Sequence, residues 1–312
     1  MGKNNFSLGS RDAAKAGTFA LNSAARDGTM SYSTAATVAD RWSQFVEWAR
    51  DEEGAKWMED YSREMVVEYG RELAEKVEAG EMAVSTAQNY LSAVNTVMGL
   101  ATQGQWEGVS PTKDCGIAER SSIREEAPGA LDRESYQRAI DAVREQLGDR
   151  VAAAVELMRE LGLRSKEAST IDAKSALAEA LSRNSVTISE GTKGGREREV
   201  PITSERQIEA LSRASEEQGS DRSMIPADQT WKEWRDGTLR DAREIVQQHT
   251  GGGLHDLRAA YACERYEALT GSAAPVAGGS GVDRELDREA REQIAEELGH
   301  GRIDVTNEYL GR

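Results

Sequence analysis

The C-terminal end of the sequence carries side chains that could perform a phosphoryl transfer. His300 and Tyr309 lie nine residues apart, with Thr306 between them. Tyr309 falls in a short final helix for which we expect Asp304 to be the N-cap. It is the only side chain of that helix able to act as a strong nucleophile. A single tyrosine does not establish a function. Its interpretation depends on which other reactive side chains the sequence contains.

Four side chains upstream match the needs of a tyrosine that attacks a phosphodiester. Such a reaction requires stabilised charge on the nonbridging oxygens and a proton for the leaving 5′ oxygen. Arg164 and Arg258 offer planar, permanently charged forks that can hold one phosphate from two sides. Lys193, in a predicted turn, can reach the leaving oxygen. His255, one helical turn before Arg258, can take the tyrosine proton.

Each of these residues also has an ordinary interpretation. An arginine at a helix end is usually a solvated charge, and a lone histidine is more often structural than catalytic. A tyrosine on an amphipathic helix usually packs its ring. The combination favours the chemical interpretation, because the chain has only three histidines and two of them, His255 and His300, fall in these stretches. We interpret the third, His249, as structural.

Four blocks of the sequence resemble the motif blocks of the tyrosine recombinases, the phage-integrase family. They occur in the family's order, and the spacing from His300 to Tyr309 also follows its pattern. The blocks are LGLRSKEA at Leu161–Ala168, TKGGREREVPI at Thr192–Ile202, HDLRAAYA at His255–Ala262 and LGHGRIDVTNEYLG at Leu298–Gly311. The resemblance implies a helical SAM-like core-binding domain and an α+β catalytic domain that close around DNA as a C-shaped clamp.

The resemblance and the chemistry together imply a role for each residue. The expected catalytic set is Tyr309 as nucleophile, Arg164 and Arg258 as phosphate clamps, His255 as general base, Lys193 as general acid, His300 as a hydrogen-bond donor to the phosphate, and Glu167 as the acidic residue that orients the site. No metal or cofactor is expected. A phosphotyrosine linkage would conserve the energy of the broken bond, so rejoining would need no ATP.

The function implied is that of a site-specific DNA recombinase, an integrase that integrates or excises a mobile element through a covalent 3′-phosphotyrosine intermediate. Its partners would be double-stranded attachment sites, three further copies in a tetramer on two duplexes, and accessory DNA-bending or directionality proteins. A type IB topoisomerase shares the nucleophile and arginines but acts as a monomer without site choice. A relative that binds DNA sites without cutting is the other alternative.

Bulk composition gives a mixed signal. A length of 312 residues favours two domains, whereas a net charge of −16 and a pI near 4.8 argue against a nucleic-acid partner. Net charge averages over the surface and DNA responds to the local field, so we expect a narrow basic face. Cys115 and Cys263 belong to no metal or disulfide pattern. Neither a signal peptide nor a membrane-spanning run is recognisable, so we expect a cytoplasmic, nucleoid-associated protein.

The elements that must position these residues are mainly helical. The predicted segments are an N-terminal arm at 1–30, mobile or with one short helix, the core-binding domain at 31–104, a linker at 105–130 and the catalytic domain at 131–312. In the core-binding domain, Ser33 or Thr34 is expected to cap one helix, and Ser85 with Gln88 to form the capping box of another. The DNA-contact candidates are Thr86, Gln88 and Asn89 on that helix, and Arg196.

In the catalytic domain, Gly162 is expected to end a helix just before Arg164. A further helix is predicted over 166–182. The alternation in 185–189 and 199–202, separated by Gly194 and Gly195, predicts a β-hairpin with Lys193 at its tip. The Gly-rich stretch 271–281 is longer than the corresponding connection in most of the family. We expect it to serve assembly of the protomers.

Overall fold

The computed structural model describes residues 5–312, apart from the side chain of Lys193. Residues 1–4 of the predicted arm therefore lie outside the described part. The chain divides into two compact units, with the division between Ser121 and Ser122. This boundary falls inside the stretch predicted as a linker, 105–130.

The first unit contains four α-helices. They are α1 (Ala13–Arg26), α2 (Tyr32–Glu52), α3 (Arg63–Glu78) and α4 (Val84–Ala101). Trp42 and Phe45 of α2 are fully buried in its core. The indole nitrogen of Trp42 donates to the carbonyl of Ala13 at 3.0 Å. The short-helix alternative for the N-terminal stretch is therefore the one found, and that helix is packed into the core rather than mobile.

Two cap predictions in this unit are wrong. Helix α2 begins after Ser31, whose hydroxyl accepts from the backbone of Thr34 at 3.0 Å. Helix α4 begins at Val84, and its N-cap Ala83 makes no side-chain bond, so Ser85 and Gln88 form no capping box. The Gln88 amide instead donates to the carbonyl of Ala118 at 2.8 Å. A contact distant in sequence therefore replaces the local one.

The second unit holds ten helices and one hairpin in its described part. The helices are α5 (Arg133–Leu147), α6 (Asp149–Glu160), α7 (Ser165–Thr170), α8 (Ala173–Arg183), α9 (Glu205–Gln218), α10 (Trp231–Asp236), α11 (Thr238–Thr250), α12 (Leu254–Thr270), α13 (Arg284–Glu297) and α14 (Asn307–Leu310). Helix α12 packs against α6, α11, α13 and α14. It is buried almost all round, which identifies it as the central element of this unit.

The single helix predicted over 166–182 is wrong, because the structure has two helices there. Helix α7 ends at Thr170, and Ile171 takes an extended conformation with φ −60° and ψ 140°. Asp172 then caps α8, with its carboxylate accepting from the hydroxyl of Ser175 at 2.7 Å. The break lets α7 lie separately, so that Arg164 and Glu167 are placed by a helix of only one and a half turns.

The predicted hairpin is confirmed. Strands β1 (Ser185–Ile188) and β2 (Arg198–Pro201) pair antiparallel, with Val186 opposite Val200. Gly194 and Gly195 have φ of 76° and 69°, left-handed values that favour glycine. Among the described residues these are the only β-strands.

The C-terminal segment differs from the prediction in one respect. A 3₁₀ turn spans Ile303–Thr306 and leads directly into α14. Asp304 lies inside this turn, so its predicted role as N-cap is wrong. Thr306 precedes α14, and its hydroxyl donates to the carbonyl of Ile303 at 2.7 Å. No helix in the described part of the chain has the length and apolar character needed to cross a bilayer.

Gly162 provides a test of how the fold positions the site. It has φ +62°, and a Cβ atom there would lie 2.5 Å from the ring of Tyr261. We expect Gly162→Ala to lower the free energy of unfolding by about 1–2 kcal/mol from backbone strain alone, with the overlap adding to the loss. Urea unfolding followed by circular dichroism measures this.

Gly99→Ala is the matched control. Gly99 lies within α4, and a Cβ atom there meets nothing within 4 Å. We expect it to raise the free energy of unfolding by about 0.5–1 kcal/mol, because alanine is the better helix former. Equal effects of the two substitutions would contradict the packing described for Gly162.

Candidate active site

Tyr309 is placed against α12 and the turn that follows α13. Its side chain is buried, with 2% of the residue surface exposed. Its hydroxyl lies 3.1 Å from Nε2 of His300 and 3.5 Å from Nε of Arg258. The ring of His255 is also close, with its centroid 5.7 Å from that of Tyr309. His300 and Arg258 therefore meet Tyr309 at its hydroxyl group, and His255 lies beside its ring.

Arg258 is held rigidly by backbone carbonyls. Its guanidinium is fully buried, and its two terminal nitrogens donate to the carbonyls of Gly162 and Leu298. The left-handed turn at Gly162, which ends α6, directs its carbonyl toward this arginine. The Nε group of Arg258 is thereby left facing the Tyr309 hydroxyl.

Glu167 is the common partner of the arginines around this site. Its carboxylate is fully buried and receives two hydrogen bonds from Arg198, at 2.9 and 2.7 Å. It also accepts from the backbone nitrogen and from Nη1 of Arg164, both at 2.7 Å. The nearest nitrogen of Arg258 lies 3.9 Å away. One carboxylate therefore orients the guanidinium groups of Arg164 and Arg198 and offsets part of the charge of Arg258.

Arg164 reaches the site through the backbone carbonyl of Leu298. Its side chain is 22% exposed, and Nη2 donates to the Leu298 carbonyl at 3.3 Å, the same carbonyl that Arg258 uses. Arg164 and Arg258, the two predicted phosphate clamps, therefore share the Leu298 carbonyl as an acceptor. The exposed part of Arg164 leaves donors free for a ligand.

Arg198 was missed by the sequence analysis, although a signal for it exists. It lies two residues before Val200 on β2, so the alternation that buries Val200 also directs Arg198 inward. Besides its two bonds to Glu167, it donates to the carbonyl of Glu297 at 2.7 Å. Arg198 thus joins the hairpin to α7 and to the end of α13.

The turn that carries His300 is fixed by the last residue of α13. The carboxylate of Glu297 accepts from Arg265 at 2.9 and 2.6 Å and from the hydroxyl of Tyr261 at 2.8 Å. The His300 backbone nitrogen donates to Ala295 at 2.7 Å. Since Tyr261 and Arg265 belong to α12, the helix that bears His255 and Arg258 also positions His300.

The hairpin tip lies partly outside the described residues. The side chain of Lys193 is not described, and its backbone begins a short turn at Lys193–Gly195. Arg196 is exposed, and its guanidinium lies against the turn after His300, where a Cβ atom on Gly301 would be 2.6 Å from Nη1. The second arm of the hairpin thus approaches the Tyr309 site.

The remaining DNA-contact candidates lie on α4 in the first unit. Thr86 is exposed, whereas Gln88 and Asn89 are half-buried. The amide of Gln88 is already engaged by Ala118. Thr86 is therefore the most accessible of the three.

The arginines strongly affect the protonation of the site. Burial alone would raise the pKa of Glu167, but the hydrogen bonds and charge of Arg198, with Arg164, outweigh it and hold that pKa at about 2. Desolvation and the charges of Arg258 and Arg164 lower the pKa of His300 to about 3. Desolvation lowers the pKa of Arg258 to about 10, so it remains charged at neutral pH.

The pKa of His255 is lowered as well. Crowding by surrounding protein atoms and the charges of Arg258 and Arg164 lower its pKa, although one side of the residue stays exposed to solvent. Both histidines next to Tyr309 are thus favoured in the neutral form, which can accept a proton. Among the described residues, no group of three or more His, Cys, Asp or Glu side chains is arranged to hold a metal ion.

Comparison with known proteins finds a matching family model and solved structures with a similar fold. The family model described as Integrase matches residues 118–264. No curated protein matches the sequence.

Several solved structures are similar in fold. The Tn1549 transposon integrase, in complex with a circular intermediate DNA, has 11% sequence identity and a TM-score of 0.58, over 94% of each chain. A lambda integrase dimer bound to a COC′ core site has 14% identity and a TM-score of 0.57, over 93% of this chain and 75% of that one. The XerH recombinase bound to difH has 16% identity and a TM-score of 0.55, over 95% and 82%.

Glu167 makes the stability of the protein depend on pH in a defined way. Its pKa of about 2 in the folded state lies below the value of an unfolded glutamate, so its ionised form stabilises the fold above about pH 4.5. This contribution, about 3 kcal/mol, falls as pH decreases, and about 2 kcal/mol of it is lost by pH 3. We expect Glu167→Gln to lack this component of the pH dependence.

Urea unfolding at pH 6 and pH 3 measures the effect. Glu134→Gln is the control, because that side chain is 88% exposed. A Glu167→Gln protein that loses as much stability on acidification as the wild type would contradict the described network.

Proposed function

We propose that this chain, a member of the integrase family of tyrosine recombinases, acts at the site around Tyr309 as a site-specific DNA recombinase. It cleaves and rejoins DNA through a covalent 3′-phosphotyrosine intermediate, for the integration or excision of a mobile element. The proposal rests on one observation: the Tyr309 hydroxyl lies next to Arg258 and His300. The described residues of this site carry more positive than negative charge.

Cleavage follows from these groups as a balanced exchange at phosphorus. The Tyr309 oxygen attacks, forming a P–O bond, while the bond to the 5′ oxygen breaks. Arg164 and Arg258 donate to the nonbridging oxygens, whose charge grows during attack. Lys193 gives a proton to the leaving 5′ oxygen. In rejoining, a 5′ hydroxyl attacks the phosphotyrosine and the protons return.

The tyrosine proton has two candidate acceptors. His300 is already within 3.1 Å of the hydroxyl, and its lowered pKa keeps it neutral. We propose that His300 takes the proton in this arrangement and can then donate to the phosphate. His255 remains the acceptor expected from the sequence. Its exposed side allows it to turn toward a bound duplex.

The proposed partners are double-stranded attachment sites and further copies of the chain. One of the structures similar in fold is a lambda integrase tetramer bound to a Holliday junction, and another is a XerH post-cleavage complex. We propose a tetramer on two duplexes for this chain also. Accessory DNA-bending or directionality proteins, and action on DNA in the cytoplasm at the nucleoid, belong to the same proposal.

A nicked suicide substrate tests the nucleophile. The nick lets the short 5′ fragment diffuse away after cleavage, so the covalent complex accumulates. With DNA flanking the native gene, we expect a covalent band on a denaturing gel for the wild type and its complete loss in Tyr309→Phe. Phenylalanine keeps the buried ring and removes only the hydroxyl, so DNA binding should be unchanged.

The other outcomes separate the alternatives. Specific binding without a band in either protein would favour a non-catalytic DNA-binding relative. Relaxation of any supercoiled plasmid at low salt, without a preferred site, would favour a type IB topoisomerase. A band that persists in Tyr309→Phe would place the nucleophile elsewhere.

Lys193 can be tested separately by changing the leaving group. A substrate with sulfur in place of the bridging 5′ oxygen needs no general acid, because a thiolate leaves without a proton. We expect Lys193→Ala to slow cleavage of the ordinary substrate by about 10²–10⁴-fold and to react normally with the sulfur substrate. Arg164→Ala should remain slow on both substrates. An equal defect of Lys193→Ala on both would rule out its role as the acid.

A further inference from the structure

The helix that carries Tyr309 is too short to hold its own orientation. Helix α14 has four residues, and an isolated turn of this length is unstable in water. Burial of Tyr309 and Leu310 attaches it to the core. Apolar burial is non-directional, however, so the direction of the tyrosine hydroxyl depends on the polar contacts of the turn.

Arg291 supplies such contacts on both sides of the nucleophile. This arginine of α13 is only 8% exposed. Its Nη1 nitrogen lies 3.1 Å from Oδ1 of Asn307 and 3.2 Å from the carbonyl oxygen of Gly311. The same nitrogen also lies 3.4 Å from Oγ1 of Thr306, so its two hydrogens are shared among three acceptors of the turn. The two closer acceptors belong to the residues two before and two after Tyr309, so one side chain spans the turn.

Arg291 is itself fixed to the central helix of the unit. Its Nε lies 2.9 and 3.0 Å from the carboxylate oxygens of Asp287, one turn earlier on α13. The hydroxyl of Tyr266 donates to the same carboxylate at 2.6 Å, and the guanidinium lies 5.9 Å from the Tyr266 ring centroid. Since Tyr266 belongs to α12, these contacts connect the nucleophile turn to the helix that bears Arg258.

The opposite side of the turn has a separate support. The backbone nitrogen of Arg124 donates to the carbonyl of Asn307 at 2.9 Å. Asn307 is thus held through its backbone by Arg124 and through its side chain by Arg291.

We propose that Arg291 is a positioning residue that sets the direction from which the Tyr309 hydroxyl approaches the phosphate. It touches none of the reacting atoms and acts through Asn307 and Gly311. The inference rests on the proposed function, because it assumes that Tyr309 is the nucleophile. It adds a requirement outside the predicted catalytic set.

The rate of covalent complex formation in a single turnover, at saturating nicked DNA, measures this role. We expect Arg291→Ala to slow the reaction by about 10²-fold, the cost of a displacement of about 1 Å at a reacting atom. The dissociation constant for DNA should stay unchanged, because Arg291 is buried away from solvent. The defect should persist with the 5′ sulfur substrate, since it affects attack and not departure.

Arg288→Ala is the matched control on the same helix. Arg288 is 54% exposed and pairs only with Glu285 and Glu292 in the described structure. We expect the Arg288→Ala protein to form the covalent complex at the wild-type rate. A similar loss in both variants would show a general effect of removing charge from α13 and would overturn the proposal.

Substitutions of Asn307 test the same contact while Arg291 stays in place. Asn307→Asp keeps the acceptor oxygen and should react at nearly the wild-type rate, whereas Asn307→Leu removes it and should be slow. The double variant Arg291→Ala with Asn307→Leu should be little slower than Arg291→Ala, because the contact that Asn307→Leu removes is already lost in Arg291→Ala. If Arg291→Ala does not fold, the Asn307 pair decides the question.

The proposed function and the positioning role of Arg291 are contradicted by different results. A wild-type protein that forms no covalent complex would remove the proposed function. A reactive wild type with Arg291→Ala at the same rate, or with Asn307→Leu equal to Asn307→Asp, would overturn the positioning role and leave the recombinase in place.

Discussion

The buried carboxylate of Glu167 is the interaction on which the site depends. Arg164, Arg198 and Arg258 carry like charges in a poorly solvated region, where their repulsion is large. Glu167 receives direct hydrogen bonds from two of them and lies 3.9 Å from the third. A buried carboxylate with good hydrogen bonds compensates its desolvation only when its partners stay in place. Glu167 therefore holds the arginines close together. Because it offsets only one of their three charges, the described site keeps a positive charge.

This local charge explains how an acidic chain can act on DNA. The net charge of −16 is spread over the whole sequence, whereas a phosphate at Tyr309 would meet Arg164 and Arg258 first. The field that the arginines produce also keeps His300 and His255 neutral. The positive charge of the site and the neutrality of its two histidines thus have one physical origin. Because the chain as a whole carries a net charge of −16, we expect its nonspecific binding to DNA to be weak.

Much of the fold followed from the sequence, because it depends on local patterns. The Gly194–Gly195 hairpin and the glycine stop at Gly162 were predicted from residue type and spacing, and the structure has both. The failures involve both long-range contacts and local caps. Gln88 was expected in a capping box and instead bonds to Ala118, and the helix over 166–182 is interrupted by the cap at Asp172. Arg198 was hidden for a different reason: its inward direction follows from strand alternation, but its partner Glu167 is 31 residues away. Arg291 gave no sequence signal, since its acceptors in the turn are 15, 16 and 20 residues further along and one is a backbone carbonyl.

The identity of the covalently attached residue tests the account most directly. Trypsin cuts after Arg302, so the last ten residues, Ile303–Arg312, form a peptide with Tyr309 as its only tyrosine. The covalent complex trapped on a nicked attachment site can be digested with nuclease and trypsin and sequenced by mass spectrometry. We predict a nucleotide joined through its 3′ phosphate to Tyr309. The same modification on Thr306, on another peptide, or on no residue of a reactive protein would contradict the assignment of the nucleophile and the site built around it.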